Sequence, residues 1–147
     1  MKLKHDPDLD VFAISRPLPL GLVYPYDWGF VPSTRGPDGD PIDAAVFWDT
    51  ATFPGVVIQC RALAVIKVEQ NVPDGSGARR RNDRILAVPI EGRRQAGLSS
   101  ASDLPERVRQ ELEVFFVTVT ALEGKDPRIL GWDDARAALD LLRSSVA

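Results

Sequence analysis

The chain has 147 residues, a length that suits one domain spanning 1–147 with a single sizeable core and speaks against two independent domains. With 44% hydrophobic and 27% charged residues the composition is that of an ordinary globular protein, which excludes wholesale disorder. Eighteen Lys and Arg against 21 Asp and Glu give a net charge of -3, so no broad basic surface advertises nucleic acid or anionic lipid, and any polyanion must be held locally.

The start, Met1-Lys2-Leu3-Lys4-His5-Asp6, turns acidic where a signal peptide needs an apolar run, and the single Cys60 excludes an intramolecular disulfide framework. A cytoplasmic protein is expected. Short β-rich runs follow at Val11 to Ser15, Trp28 to Val31, Ala44 to Trp48, Val56 to Val68 and Arg84 to Ile90, spaced by turns in the manner of a small barrel or sandwich. The run Val56 to Val68 exceeds the usual strand of about 5 to 6 residues, so a bend or bulge within it is expected. Gln59, Arg61 and Lys67 interrupt its apolar character, which keeps it far from the roughly 18 residues of a membrane span. Gly36 to Gly39 and Asn71 to Gly77 carry the Pro, Asp, Asn, Ser and Gly of loops. The basic cluster Arg79, Arg80 and Arg81, with Arg84 beyond it, would attract a polyanion, but Arg79 to Arg81 read rather as an exposed, flexible loop.

The period then changes. Val108, Leu112, Phe115, Phe116 and Val119 form the apolar stripe of a helix, with Asp103 as its expected cap, Glu106 reaching back and Pro105 in its first turn. A second helix is predicted from about Asp133 to Ser145, with Ala135, Ala138, Leu139, Leu142 and Val146 on its apolar face and Asp133 and Asp134 at the positive end of its dipole. The pattern predicts an α+β fold, mainly β, with an OB-like barrel or sandwich followed by two C-terminal helices.

Chemistry concentrates in Asp38-Gly39-Asp40-Pro41-Ile42-Asp43, three carboxylates in six residues. Carboxylates this close raise one another's pKa unless cations neutralise them, and oxygen-only donors select magnesium or manganese over softer metals. The competing reading is a solvated turn built from Asp and Gly. An EF-hand fits poorly, because Gly follows the first Asp directly and no Glu stands at the twelfth position. With His5 as the only histidine, a histidine-rich metal centre is excluded, and the available chemistry rests on carboxylates, Arg, Lys and Tyr. The aromatic segment Tyr24-Pro25-Tyr26-Asp27-Trp28-Gly29-Phe30-Val31-Pro32 leads straight into the acidic block, as the lining of a cleft would. An acidic block between aromatics argues against a single-stranded nucleic-acid groove. Gly75-Ser76-Gly77 begins a dinucleotide-like pattern that fails at Arg80.

Tyr24-Pro25, Gly29-Phe30-Val31-Pro32-Ser33-Thr34 and Asp38-Gly39-Asp40-Pro41-Ile42-Asp43 resemble the signature block of the soluble family I inorganic pyrophosphatases. The likeness continues through Phe53-Pro54-Gly55, Arg61, Val65-Ile66-Lys67, Asp83-Arg84-Ile85-Leu86-Ala87-Val88-Pro89, Phe115-Phe116 and Leu122-Glu123-Gly124-Lys125. It implies an OB-like closed five-stranded β-barrel with two C-terminal flanking helices, and Mg2+-dependent hydrolysis of pyrophosphate to two phosphates by a metal-activated water, with Mn2+ as a substitute, in a cytoplasmic homo-oligomer, commonly a hexamer. By position, Asp38, Asp40 and Asp43 match metal-binding aspartates, with Asp40 nearest the nucleophile. Lys2, Arg16 and Tyr24 match phosphate-contacting groups, and Arg84 stands where a phosphate-binding Lys is usual. Catalytic roles are thereby implied for Asp40, Tyr24, Arg16 and Arg84.

The sequence also departs from that pattern. Gln70 and Asn82 replace two further metal-binding aspartates, although an amide oxygen still ligates a hard cation. Asp83, and less readily Glu69, stand one residue away as substitutes. Lys4 stands for Glu, Trp28 for Tyr, and Val119 and Thr120 for a Tyr-Lys pair. These changes keep an alternative open: a catalytically weakened relative that binds phosphate, pyrophosphate or a nucleotide.

Overall fold

The computed structural model describes residues 1–147. Its strands are β1 (Lys2–Asp6), β2 (Val11–Arg16), β3 (Asp27–Phe30), β4 (Asp43–Val46), β5 (Cys60–Asn71), β6 (Arg79–Arg81), β7 (Arg84–Pro89) and β8 (Arg128–Asp133). Helix α1 covers Glu106–Val119 and α2 covers Ala135–Ser144. No helix is long and apolar enough to cross a membrane.

The mainly β architecture with two C-terminal helices is as predicted, but the strand pairing does not form the expected closed five-stranded barrel. The pairs run β3-β4-β7-β5-β6 with β8 on β5, while β1 and β2 form a separate antiparallel hairpin. β4 and β7 run parallel; the other pairs are antiparallel. The long strand β5 is the hub, since β7 and β6 share one of its edges and β8 takes the other.

Alternation along these strands builds a core on each face of the sheet. On one face Ala45, Leu63, Ile66, Val68, Leu86 and Val88 pack against Leu112, Phe115, Phe116 and Val119 of α1. On the other, Ile42, Ala44, Val65, Ile85 and Ala87 meet Ala138, with Ala137, Leu141 and Leu142 of α2 beside them. β5 reaches both layers through the expected irregularity, a register shift between Ala62 and Ala64.

Several boundaries differ for local reasons. β5 begins at Cys60 and not at Val56, because Phe53-Pro54-Gly55 turns the chain, with Gly55 at φ +97° and Val56 N–H donating to Phe53 O at 3.3 Å. Val56 and Val57 are consequently exposed. Asp103 caps an earlier 3-10 turn, Ala101–Asp103, accepting from Ser99 and Ser100 N–H at 2.8 and 3.0 Å, and Pro105 takes the cap position of α1. α2 is capped by Asp134, which accepts from Ala137 N–H at 2.9 Å. Asp133 ends β8 and pairs with Lys67 at 3.1 Å. Leu139 and Val146 face solvent, unlike the predicted stripe. Strands β1, β6 and β8 escape the pattern search because Lys2–Asp6 and Arg79–Arg81 are charged, and Gly131 interrupts β8 at φ +129°.

The α1 face is the larger core, and Leu112 within it is 1% exposed. Leu112→Ala is expected to lower unfolding stability by about 2–5 kcal/mol, read as a fall in the urea midpoint at unchanged slope.

Candidate active site

The acidic block lies between β3 and β4 on a turn fixed by its own backbone. Gly36 N–H donates to Asp40 O at 2.7 Å, Gly39 N–H to Gly36 O at 3.0 Å, and Asp40 N–H to the Asp38 carboxylate at 3.2 Å. Gly39 sits at φ +87°, a conformation a side chain would strain. Buried Thr34 closes the base of the turn, accepting from Ile42 N–H at 2.9 Å and donating to Val31 O at 2.6 Å. The chain end clamps the same turn: Arg35 N–H donates to Ser145 O at 2.7 Å and Ala147 N–H to Ser33 O at 2.9 Å.

Each aspartate has a cationic or amide partner. Lys4 Nζ donates to both oxygens of Asp40 at 3.0 Å. Asn82 Nδ2 donates to Asp38 Oδ2 at 3.1 Å, and Arg84 Nε meets Asp43 Oδ2 at 3.2 Å. Arg84 also donates through Nη1 to the Asn82 carbonyl at 2.6 Å and to Asn82 Oδ1. Asp38, Asn82 and Arg84 therefore form one hydrogen-bonded chain that an ion pair extends to Asp43.

Beside it opens a cleft lined by Lys2, Arg16, Tyr24, Trp28, Asp43, Val68, Gln70, Arg84, Phe115, Phe116, Val119, Thr120, Lys125 and Pro127. Four cations face a single carboxylate there, so the cleft attracts an anion. Lys125 belongs to this lining although position alone did not single it out. The signal was its place in the matched Leu122-Glu123-Gly124-Lys125 segment, which the two replaced residues Val119 and Thr120 precede.

The surroundings tune these groups. Burial pulls Lys2 below the usual lysine range, against the opposing pull of Asp43. Burial pushes the Asp43 carboxyl up, while Arg84 and Lys2 draw it down. Burial likewise raises Tyr24, whose ring lies 5.9 Å from Trp28 and 5.3 Å from Phe115. Arg84 lies over the Trp28 ring at 5.9 Å, so the aromatic floor helps hold the guanidinium. Arg16 is anchored by Val119 O at 3.0 Å and Glu123 at 3.4 Å, which fixes it at the end of α1.

Matches to known proteins fit this arrangement. The profile described as inorganic pyrophosphatase matches residues 1–147. The chain belongs to the inorganic pyrophosphatase family. It is 37% identical over 149 residues to the inorganic pyrophosphatase of Thermus thermophilus, covering 99% of this chain and 81% of that protein. It is 39% identical over 145 residues to that of Nostoc, covering 99% and 82%. The solved structure of the Thermus thermophilus inorganic pyrophosphatase superposes with a TM-score of 0.88 at 35% identity, covering 99% of this chain and 81% of that one.

The two substitutes considered for the missing pyrophosphatase aspartates are engaged elsewhere. Asp83 Oδ1 accepts from Val68 N–H at 3.0 Å, and the carboxylate pairs with Arg81 at 2.7 Å. This mends the ladder where β6 gives way to β7, because the Asn82 carbonyl, opposite Val68, is turned over to Arg84. Glu69 pairs with Arg79 at 2.9 Å. Arg79 also reaches Asn71 at 2.9 Å and Asp126 at 3.0 Å, so the basic cluster is a pinned strand and not the flexible loop expected. Gln70 is buried at the cleft wall, and Asn82 is buried with both ends of its amide hydrogen-bonded.

In this pyrophosphatase relative Asp83 is thus a strand clasp. Asp83→Ala is expected to destabilise the fold by about 1–3 kcal/mol, the penalty of an unpartnered buried N–H. Divalent-metal affinity, measured by calorimetry on the same variant, is expected to stay within about twofold of the parent, since tenfold would need roughly 1.4 kcal/mol at the site.

Proposed function

We propose that this chain hydrolyses inorganic pyrophosphate to two phosphates with the help of a divalent cation, Mg2+ foremost and Mn2+ as a substitute, and that it does so as a cytoplasmic homo-oligomer. The observation that carries the reading is the juxtaposition of a three-aspartate turn with a four-cation cleft, within a chain that matches the inorganic pyrophosphatase family over residues 1–147.

The donor chemistry fits a hard cation. Asp38, Asp40 and Asp43 supply only oxygen, and a carboxylate oxygen holding one hydrogen bond keeps a free lone pair. The three do not converge into a preformed cage, so the ligand oxygens must gather around the ion. Asp38 and Asp43 would hold it together with Asp40, and the Gln70 and Asn82 amide oxygens are weaker donors nearby. When bound, the cation supplies Lewis-acid activation of water and neutralises charge on the phosphates.

The chain's own residues supply the remainder. Arg84 and Arg16 are held in place by Asp43 and by the end of α1, so both guanidinia are oriented before an anion arrives. Arg84 suits bidentate contact with phosphate oxygens, and Lys2 and Lys125 add point charges around it. Partial burial strengthens each contact by lowering the local dielectric. Tyr24, kept protonated by burial, has a hydroxyl to donate to a phosphate oxygen. Together these groups stabilise the charge that develops on the departing phosphate, the main task in phosphoryl transfer. Phosphate release is the step such a cationic cleft slows.

A second reading, binding without turnover, is favoured by one feature: Asn82 donates directly to Asp38, a contact that an aspartate at position 82 could not make. The two readings separate in one measurement, phosphate release from pyrophosphate across a Mg2+ and Mn2+ titration. Metal-dependent release is expected for the parent, with half-saturation in the millimolar range. Asp40→Asn is expected to lower the rate at least about 100-fold, the order seen when one transition-state electrostatic contact is lost, with an unchanged circular dichroism spectrum. Saturable pyrophosphate binding with no release under either metal would favour the binding reading instead.

A further inference from the structure

Of the three aspartates on the turn, Asp40 is paired with a cation from outside the main sheet. Lys4 lies on β1, two residues from the cleft residue Lys2. The Lys4 ammonium is 3.0 Å from each oxygen of Asp40, and the two side chains remain 59% and 56% exposed. An exposed pair of this kind contributes little to folding. Its consequence falls on whatever else approaches Asp40: a divalent ion meets a resident positive charge sitting across both carboxylate oxygens. Asp38 and Asp43 differ, because each has an oxygen that no cation occupies.

We infer that Lys4 is a built-in counter-ion of Asp40 that a divalent cation must displace, so that Lys4 sets the metal affinity of this site. The inference rests on the reading of Asp40 as a metal ligand. It deepens that reading by assigning the metal requirement to a residue that is not itself a ligand of the ion. The turn keeps its own hydrogen bonds, Gly36 N–H to Asp40 O and Asp40 N–H to Asp38, with no ion bound, so the empty and loaded states differ by exchange of one cation for another and not by the folding of the turn.

The test is Mn2+ binding to the full chain in the absence of pyrophosphate, followed by calorimetry and by loss of the free Mn2+ electron spin resonance signal. Lys4→Gln is expected to tighten Mn2+ binding by about tenfold, the order expected when a unit charge a few ångströms from a divalent ion is removed at a solvated site. Lys4→Arg, which retains the charge, is expected to stay within about twofold of the parent. Equal affinity of Lys4→Gln and the parent would overturn the inference, as would a gain in Lys4→Arg as large as that in Lys4→Gln. Asp40→Asn in the parent separates the two levels. If it weakens Mn2+ binding while Lys4→Gln changes nothing, only the role of Lys4 falls. If Asp40→Asn leaves Mn2+ binding unchanged, Asp40 is no ligand and both fall. Thermal midpoints of all the variants are expected to match, because the pair is exposed.

Discussion

Compensation of negative charge is the constraint on which the site depends. Three aspartates within six residues repel one another, and a turn that presents them needs positive charge in reach in every state it visits. This chain meets the need internally. Lys4 pairs with Asp40, Arg84 with Asp43, and the Asn82 amide with Asp38. The same pairs link β1, the β6–β7 junction and the turn before β4, beside the backbone pairing of β4 with β7 and the contact of His5 with Phe30 that set the placement.

The β6–β7 junction shows how that balance reaches into the sheet. An uninterrupted ladder would have Val68 N–H donate to the Asn82 carbonyl. Arg84 takes that carbonyl instead, and Asp83 offers its carboxylate to Val68 in exchange, while Asn82 N–H still donates to Val68 O at 2.8 Å. The ladder stays satisfied on both sides, as buried backbone requires. In return Arg84 is locked between a backbone carbonyl, a side-chain amide and Asp43, with Trp28 beneath it. A guanidinium held this way loses little conformational entropy when an anion arrives. Asn82 suits this exchange, because an amide donates to Asp38 and accepts from Arg84 at once, which a carboxylate could not do.

The periodic parts of the fold were legible in the sequence. The α1 stripe lies in the core because Leu112, Phe115, Phe116 and Val119 repeat at helical spacing, and the bulge in β5 follows from a strand too long to be straight. The strand pairing was not legible, since no local pattern says which strand edges meet across a sheet, and the expected closed barrel is not what the pairs form. β1 and β6 were hidden because Lys2–Asp6 and Arg79–Arg81 carry charge where strand patterns carry apolar residues; those charges are what bring Lys4 to Asp40 and tie Arg79 to Glu69 and Asp126. For the same reason the acidic turn could be read from composition, whereas its partners could not. The three aspartates are neighbours in sequence, but Lys4 lies 36 residues from Asp40 and Asn82 lies 44 from Asp38.

This difference bears on how a divalent ion enters. The carboxylate count alone describes a site with a large charge deficit that only metal can fill, yet the folded chain supplies cations and an amide for all three aspartates. On the proposed reading a metal would compete with an intramolecular ammonium at Asp40 and add to existing contacts at Asp38 and Asp43. Lys4 is carried by β1, which pairs with β2 and not with the main sheet, so exchange of its ammonium for a divalent ion would leave the pairing of β4 with β7 intact.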